Sequence, residues 1–550
     1  MNILNEIIKN VKNGEIKSKN DFENLKRKLS EKYKIKIISN FEILQEYQNL
    51  LKKGAIEKNE LLERILRKRP IRSLSGIVNI TVLTKPYPCP GRCIFCPFQK
   101  GMPKSYLEKE PAAQRAKNLN FNPYLQVRKR IEMLEKEGHP TNKIELRIVG
   151  GTWSYYPKHY QIWFIKECFR ACNEIKKTTK NYQEKENLKI EKLKLLLKKE
   201  QKKNEKAKNR IVGISIETRP DFINLEEIKL LRELGITLVE LGVQSVYDDV
   251  LKLNQRDHKI IDTILATKLL KDAGFKILYQ IMPNLYGSNI KRDIEMFSIL
   301  FNNPGFKPDY LKIYPCALVK NTKLYKIYLK GKFKPYSKEE LIELLKEIKK
   351  EIPYYVRIQR IGRDIPAEYI VEGGSKISNL RELVKKELEK KGLFCKCIRC
   401  REIKENYNLK EKLYLFREDY EASQGKEIFL SFENKERKRI YSFLRLRIVE
   451  NSKPVFSVLK NSAIVREIKT FGQLTPIGSK KIAVQHRGLG KKLVKEAEKI
   501  AKKEFKKEKV AVIAGVGVRN YFRKLGYKLK ETYMVKIINL KSKMNAKQNL

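Results

Sequence analysis

The chain has 550 residues, too many for one core, so two or three domains are expected. Lys and Arg number 119 against 64 Asp and Glu, a formal charge of +55. A field that strong favours a polyanionic partner; a thermophilic lysine bias would raise Glu alongside Lys, and here the acids lag. Nine cysteines, six of them in two tight clusters, exclude a disulfide scaffold and point to metal ligation in a reducing compartment. Residues 1–30 lack a signal-peptide core and no run of about 18 apolar residues could span a bilayer, so a cytoplasmic protein with no membrane association is expected.

Residues 1–74 show helical periodicity (Ile3, Leu4, Ile7, Ile8, Val11) and end in the basic cluster ILRKRPIRS. They form a basic helical region that either contacts RNA directly or serves as a solvated cap. From 75 to 390 strands alternate with helices, the strands being expected at 76–83, 143–151, 210–218, 237–245, 275–283 and 309–315. That alternation predicts an α/β fold, a partial (β/α)6 barrel with its active groups at the carboxyl ends of the strands. The lysine-rich stretch 173–210 interrupts the pattern and reads as a solvated helical excursion. A Cys-rich linker at 391–410 leads into a separate α/β unit at 411–550.

The loop after the first strand reads KPYPCPGRCIFCPF, with Cys89-x3-Cys93-x2-Cys96. Three thiolates this close can hold three irons of a [4Fe-4S] cluster and leave the fourth iron open to S-adenosylmethionine, whose sulfonium one electron can cleave. A structural zinc knuckle is the alternative, but zinc usually takes four closed ligands and only three are local. Val149-Gly150-Gly151-Thr152 ends the second strand, where glycines would let the methionine moiety approach the backbone; alone, the pair is a tight turn. Glu217, Glu240 and Gln244 are polar positions on apolar strands, facing the barrel interior toward a ligand, an arginine or a structural ion pair.

Cys395-x-Cys397-x2-Cys400 supplies three soft ligands, and Cys316 at the end of the sixth strand is expected to complete a tetrahedral zinc. Cys168 and Cys172, four apart on an apolar helix face, are expected in the core. Further on, SAIVREIKT (462–470) is followed by Gln485-x2-Gly488-x-Gly490 at a helix start, an arrangement that offers backbone N–H groups to a pyrophosphate. With VAVIAGVGVRNYFRKLGY it resembles the signature of GCN5-related N-acetyltransferases, which implies an acetyl-CoA site.

The pairing of the two units resembles the family of the catalytic subunit of Elongator in its stand-alone archaeal-type form. KPYPCPGRCIFCP, GGTW, SIETRPD, ELGVQSVYDDVL, RDIPAEYI, CIRCREI, QHRGLG and AGVGVRNYFRKLGY carry that resemblance along nearly the whole chain. It implies a radical S-adenosylmethionine barrel joined by a zinc linker to an acetyltransferase domain, acting on the anticodon stem-loop of tRNA. It further implies that acetyl-CoA is the cosubstrate. A carbon radical from its methyl group would add to C5 of the wobble uridine, and thioester hydrolysis would leave 5-carboxymethyluridine. A homodimer fits the stand-alone form, and no accessory subunit is needed.

By the same resemblance, Cys89, Cys93 and Cys96 are cluster ligands and Lys143 contacts acetyl-CoA. Glu467, Ile468, Lys469 and Thr470 would carry the pantetheine arm, and Leu489, Gly490, Lys491 and Lys492 the pyrophosphate turn. Tyr521-Phe522, expected beside the cosubstrate, replaces the family's usual tyrosine pair, which disfavours direct transfer to an amine because phenylalanine cannot protonate a leaving thiolate. Tyr521 remains as a candidate acid; neither His258 nor Gln280 is given a catalytic role. A protein lysine acetyltransferase with a structural cluster and a non-catalytic RNA scaffold are the alternative functions.

Overall fold

Apolar β-branched runs separated by amphipathic helices fold, in the computed structural model, into a parallel sheet curled as a half-barrel. The structure describes residues 2–73, 75–174, 188–374, 376, 379–404, 408, 410–449, 453–472 and 488–538. The strands of this region are β1 (Val78–Leu83), β2 (Lys143–Val149), β3 (Arg210–Thr218), β4 (Leu238–Gln244), β5 (Lys276–Ile281), β6 (Tyr310–Ile313), β7 (Ala317–Val319), β8 (Arg357–Ile361) and β9 (Ile370–Gly373). The barrel order is β1-β2-β3-β4-β5-β6-β8, while β7 and β9 form a separate antiparallel pair. The six expected strands lie within two residues of their expected ends. β8 is a seventh: with two arginines and a glutamine in five residues, RIQRI carries too little apolar signal to be read as a strand.

Along β2, Ile144, Leu146 and Ile148 are buried in the main core, where the flanking helices pack. Period-two alternation then turns Lys143, Glu145 and Arg147 toward the lumen. Cys168 and Cys172 are both buried in that core, as expected.

The N-terminal helices Asn2–Lys12, Lys19–Lys32, Asn40–Lys52 and Glu60–Leu66 enclose a separate core that includes Ile7, Phe22, Tyr47 and Leu62. Two of the basic residues that follow are committed to docking. Arg67 Nε donates to the Gly138 carbonyl at 2.8 Å and Arg72 pairs with Glu137 at 2.7 Å. Both partners lie just past the carboxyl end of the helix Pro123–Lys136, where free carbonyls favour a cation. Arg69 stays exposed.

The expected solvated excursion is a strut in its described part. The helix Ile190–Asn204 buries Leu193 and Leu197 in the main core, and Glu205 pairs with Arg519 at 3.2 Å and Arg523 at 2.7 Å in the C-terminal unit. Residues 175–187 of that stretch lie outside the described residues.

The C-terminal unit is a sheet of β10 (Tyr414–Ala422), β11 (Gly425–Glu433), β12 (Ile440–Ile448), β13 (Ser462–Thr470), β14 (Lys509–Val512), β15 (Lys528–Lys530) and β16 (Tyr533–Ile537), with the helix Leu489–Lys503 packed on its core. It lies against the amino ends of the barrel strands. Arg466 meets Asp309 at 2.5 Å and Glu427 at 3.0 Å; Arg447 meets Asp272 at 2.5 Å. Burying charges is tolerable only when each is paired in this way. A Cβ at Gly515 would strike the Val212 carbonyl, so the glycine-rich AGVGV turn packs backbone to backbone on the start of β3. Among the described residues no helix is long and apolar enough to cross a membrane.

Candidate radical and acyl sites

Cys89, Cys93 and Cys96 line one cavity of about 300 Å³ at the carboxyl ends of the barrel strands, together with Gly151, Thr152 and Gln244. A Cβ placed on Gly91 would sit 3.7 Å from Cys89 Sγ, 3.5 Å from Cys93 Sγ and 3.0 Å from Arg219 Nη1. Two sulfurs and a guanidinium therefore converge on a hollow that any side chain would fill. Arg256 Nη1 donates to Cys93 Sγ at 3.4 Å, setting a cation against a ligand sulfur. Burial pushes the Cys96 thiol up to about 12.

The spread of the three sulfurs suits a multi-iron cluster better than a single ion. Sulfurs on one tetrahedral zinc, bound at about 2.3 Å, lie about 3.8 Å apart. Among the described residues the group gathered within 4.8 Å is instead Cys395, Cys397 and Cys400. Cys89, Cys93 and Cys96 are not so gathered, as expected where each ligand takes its own iron.

Gly150 and Gly151 have φ of +136° and +102°, in the region that disfavours side chains, and a Cβ on Gly150 would collide with Thr84 Oγ1. Gly150 is buried, its carbonyl accepting from Thr84 and Tyr156, while Gly151 lines the cavity beside Thr152, whose hydroxyl lies 4.0 Å from Cys89 Sγ. Gln244, also at positive φ (+69°), is buried with its Oε1 unpaired, an acceptor facing the same cavity.

Glu217 and Glu240 do face the interior, and their cation is Lys312 of β6. Its Nζ pairs closely with Glu240 and lies 3.4 Å from Glu217; Gln280 donates to Glu217 at 3.1 Å and Tyr106 at 2.7 Å. Burial raises the Glu217 carboxyl, and Lys312 opposes it. Arg219, Arg256, Lys312 and Tyr106 were not singled out from sequence. The one available signal was position: Arg219 directly follows β3, and Arg256 lies in the NQRDH segment that also holds His258.

A second arrangement occupies the C-terminal sheet. β14 pairs only with Ser462–Val465 of β13, so Glu467, Ile468, Lys469 and Thr470 splay away from it. The helix Leu489–Lys503 starts in that cleft behind Gly488 (φ +67°), with Lys491 and Lys492 exposed on its first turn. A Cβ on Gly490 would meet Tyr521 Oη at 3.0 Å, Ile468 Cδ1 at 3.6 Å and Thr470 Oγ1 at 3.7 Å. Tyr521 is 41% exposed, whereas Phe522 is 2% exposed and belongs to the core of this unit; the ring expected beside the cosubstrate is a packing residue. Gln485 lies outside the described residues.

The two arrangements meet along β2. Burial lowers the pKa of Lys469, with Arg357 acting in the same direction. Glu145 ends at about 2: burial raises it, but Arg147, Lys469 and Lys276 pull it down harder. Arg147, two residues on, lines the cysteine cavity, and Lys143, two residues back, is lowered by burial and Arg210. Lys143, Glu145 and Arg147 thus form a charged ladder leading from the splayed strand to the cavity.

The Cys395, Cys397 and Cys400 triad lies between the two units. Ile398 N donates to the Val356 carbonyl at 2.9 Å, Arg357 pairs with Glu402 at 2.6 Å, and Arg401 pairs with Glu433 at 2.7 Å. The expected fourth ligand is elsewhere. Cys316 is buried in a separate cluster with Ile94, Val250, Leu285 and Phe333, because the β7 turn folds it inward.

Residues 83–298 match the Radical SAM superfamily and residues 308–390 the Radical SAM C-terminal domain. The tRNA uridine(34) acetyltransferase of Methanocaldococcus infernus is 46% identical over 97% of this chain and 98% of its own length. Elongator complex protein 3 of Homo sapiens is 36% identical over 86% of each chain. The solved structure of archaeal Methanocaldococcus infernus Elp3 lacking residues 1–46 superposes with a TM-score of 0.71 at 44% identity, covering 84% of this chain and 100% of that one.

Proposed function

Since the chain belongs to the family of the tRNA uridine(34) acetyltransferases and Elongator complex protein 3, within the radical SAM superfamily, we propose that it modifies the wobble uridine of tRNA. The reaction we assign it forms 5-carboxymethyluridine from acetyl-CoA. When bound, a [4Fe-4S] cluster and S-adenosylmethionine supply a one-electron cleavage that yields a hydrogen-abstracting radical.

The chain's own residues have the following roles in this reading. Cys89, Cys93 and Cys96 hold three irons, with Arg219 and Arg256 offsetting their negative charge. The Gly150–Gly151 backbone, Thr152 and Gln244 bind the methionine moiety. Glu217 and Glu240, fixed by Lys312, keep the cavity polar beneath it. At the other end, the first turn of the helix Leu489–Lys503 receives the pyrophosphate through its N–H groups and Lys491 and Lys492. The splayed half of β13 offers backbone groups to the pantetheine amides, and the half-exposed Tyr521, its pKa raised by partial desolvation, is the proton donor at this end. The cysteine triad of the linker holds a structural zinc that ties β8 to the C-terminal sheet. The net charge of +55 draws in the tRNA.

The observation that supports this reading best is that Glu145, on the same strand as the cavity-lining Arg147, is drawn down by Lys469 of the splayed strand. Mass spectrometry of nucleosides from tRNA incubated anaerobically with the protein, S-adenosylmethionine, a reductant and acetyl-CoA tests it. Carboxymethyluridine should form, with label from acetyl-CoA in the added carbons; label in an intact acetyl group instead would overturn the assigned product.

A further inference from the structure

Arg256 lines both the cysteine cavity and a separate surface pocket of about 640 Å³, and its Nη1 donates to Cys93 Sγ at 3.4 Å. That pocket is rimmed by Arg92 from the cluster loop, Lys252, Lys259 and Lys323. All four are exposed.

The pocket's two acids are already engaged. Asp257 meets Arg219 at 3.3 Å and Arg92 at 3.7 Å, and Asp248 accepts from the Ile260 N–H at 2.8 Å. Among the described residues Lys252 and Lys323 have no carboxylate partner; Lys323 Nζ donates to Gln255 at 3.0 Å. Leu253, 47% exposed, adds an apolar contact beside them. A small apolar spot with a charged rim suits a brief encounter with a protein of opposite charge.

We propose that this pocket is the docking surface for an acidic, ferredoxin-type iron–sulfur electron carrier that reduces the cluster. The proposal rests on the cluster reading above and on nothing concerning the RNA. One electron leaves the reduced carrier, which is oxidised by one, and enters the protein's oxidised cluster, which is reduced by one; no bond forms and no proton moves. Electron transfer weakens steeply with distance, and here one guanidinium separates the docked surface from a ligand sulfur. The cavity side must admit S-adenosylmethionine and substrate, so a carrier approaching there would block the reaction. Ferredoxin-type carriers are also among the lowest-potential protein donors.

The test mixes the reconstituted full-length protein with a pre-reduced acidic [4Fe-4S] ferredoxin and follows cluster reduction by stopped-flow absorbance. Lys252→Glu/Lys323→Glu should slow the second-order rate by about tenfold or more at low ionic strength, with the wild-type rate falling toward the variant's at high salt. Dithionite, which needs no docking, should reduce both proteins to the same electron paramagnetic resonance signal, and tRNA affinity should match. An unchanged ferredoxin rate with an intact dithionite signal overturns the docking surface. A loss of tRNA affinity at an unchanged ferredoxin rate overturns it too and makes the patch an RNA contact. No dithionite-reducible iron signal in the wild type overturns instead the cluster reading on which it rests.

Discussion

Glu467 of β13 accepts a hydrogen bond from the hydroxyl of Tyr310 on β6, across the boundary between the C-terminal sheet and the barrel. The same carboxylate is held by Arg445 at 3.0 Å, and Tyr310 stands two residues before Lys312, which pairs with Glu217 and Glu240. The strand assigned to the cosubstrate and the polar floor of the radical cavity are therefore fixed to each other through buried contacts. Tyr310→Phe should lower unfolding free energy by about 1.5–3 kcal/mol, the range for a hydrogen bond to a charged group. Urea denaturation reads this directly; an unchanged midpoint would mean the contact contributes nothing.

Lys312 is the cation for two buried carboxylates. Lys312→Met leaves Glu217 and Glu240 together without it, which should cost about 3–5 kcal/mol. Adding Glu217→Gln and Glu240→Gln should recover most of that stability while S-adenosylmethionine binding, followed by calorimetry, remains weakened. Equal stability of the single and triple variants would contradict the pairing.

Much of this arrangement could be read from the residues. Six barrel strands and β13 are legible because each combines a strong apolar period with turn residues at its ends, and the cysteine loop because of its close thiol spacing. The failures have a common physical origin in tertiary direction. Cys316 sits at a strand end, but nothing local shows that β7 turns it inward, away from Cys395, Cys397 and Cys400. Arg67 and Arg72 look like nucleic-acid contacts until the carbonyl end of a helix distant in sequence is seen to take them. Lys312 was passed over because a lone lysine on an apolar strand has no local partner; its carboxylates come from β3 and β4.

His139 gives the docking of the N-terminal bundle a pH dependence. Its Nδ1 lies 2.8 Å from Ser73 Oγ, and burial first, then Arg67, lower its pKa from 6.5 to about 4. Between those values the unfolded chain binds a proton that the folded one does not. Stability is then unaffected above about pH 6.5 and falls as pH drops toward 4, by at most about 3 kcal/mol. His139→Gln should flatten the slope of melting temperature against pH in that window, and an unaltered slope would assign it to other groups.

The basic cluster before β1 should divide by role. Arg69→Glu should weaken tRNA binding and reduce its salt slope by about one phosphate contact, without lowering the melting temperature. Arg67→Ala and Arg72→Ala should instead loosen the bundle, seen as faster proteolysis of residues 1–74. If all three act alike on tRNA, the division is wrong.

The two cysteine groups should hold different metals independently. Cys397→Ser should release about one zinc per chain and lower the melting temperature while iron content is kept; the Cys89→Ala/Cys93→Ala/Cys96→Ala variant should lose iron and keep zinc. Elemental analysis of both proteins distinguishes this from a single shared site, in which the two metals would be lost together.

In the proposed function the acyl and radical arrangements serve one reaction on tRNA. The most direct measurement is acetyl-CoA hydrolysis by anaerobically purified protein, with and without tRNA, beside the triple cysteine variant and a basic peptide as competing acceptor. tRNA should stimulate hydrolysis by the wild type, uridine should be converted only when the three cysteines are present, and the peptide should be left unmodified. Hydrolysis indifferent to tRNA, with the peptide acetylated, would contradict the proposed function and make the chain a lysine acetyltransferase.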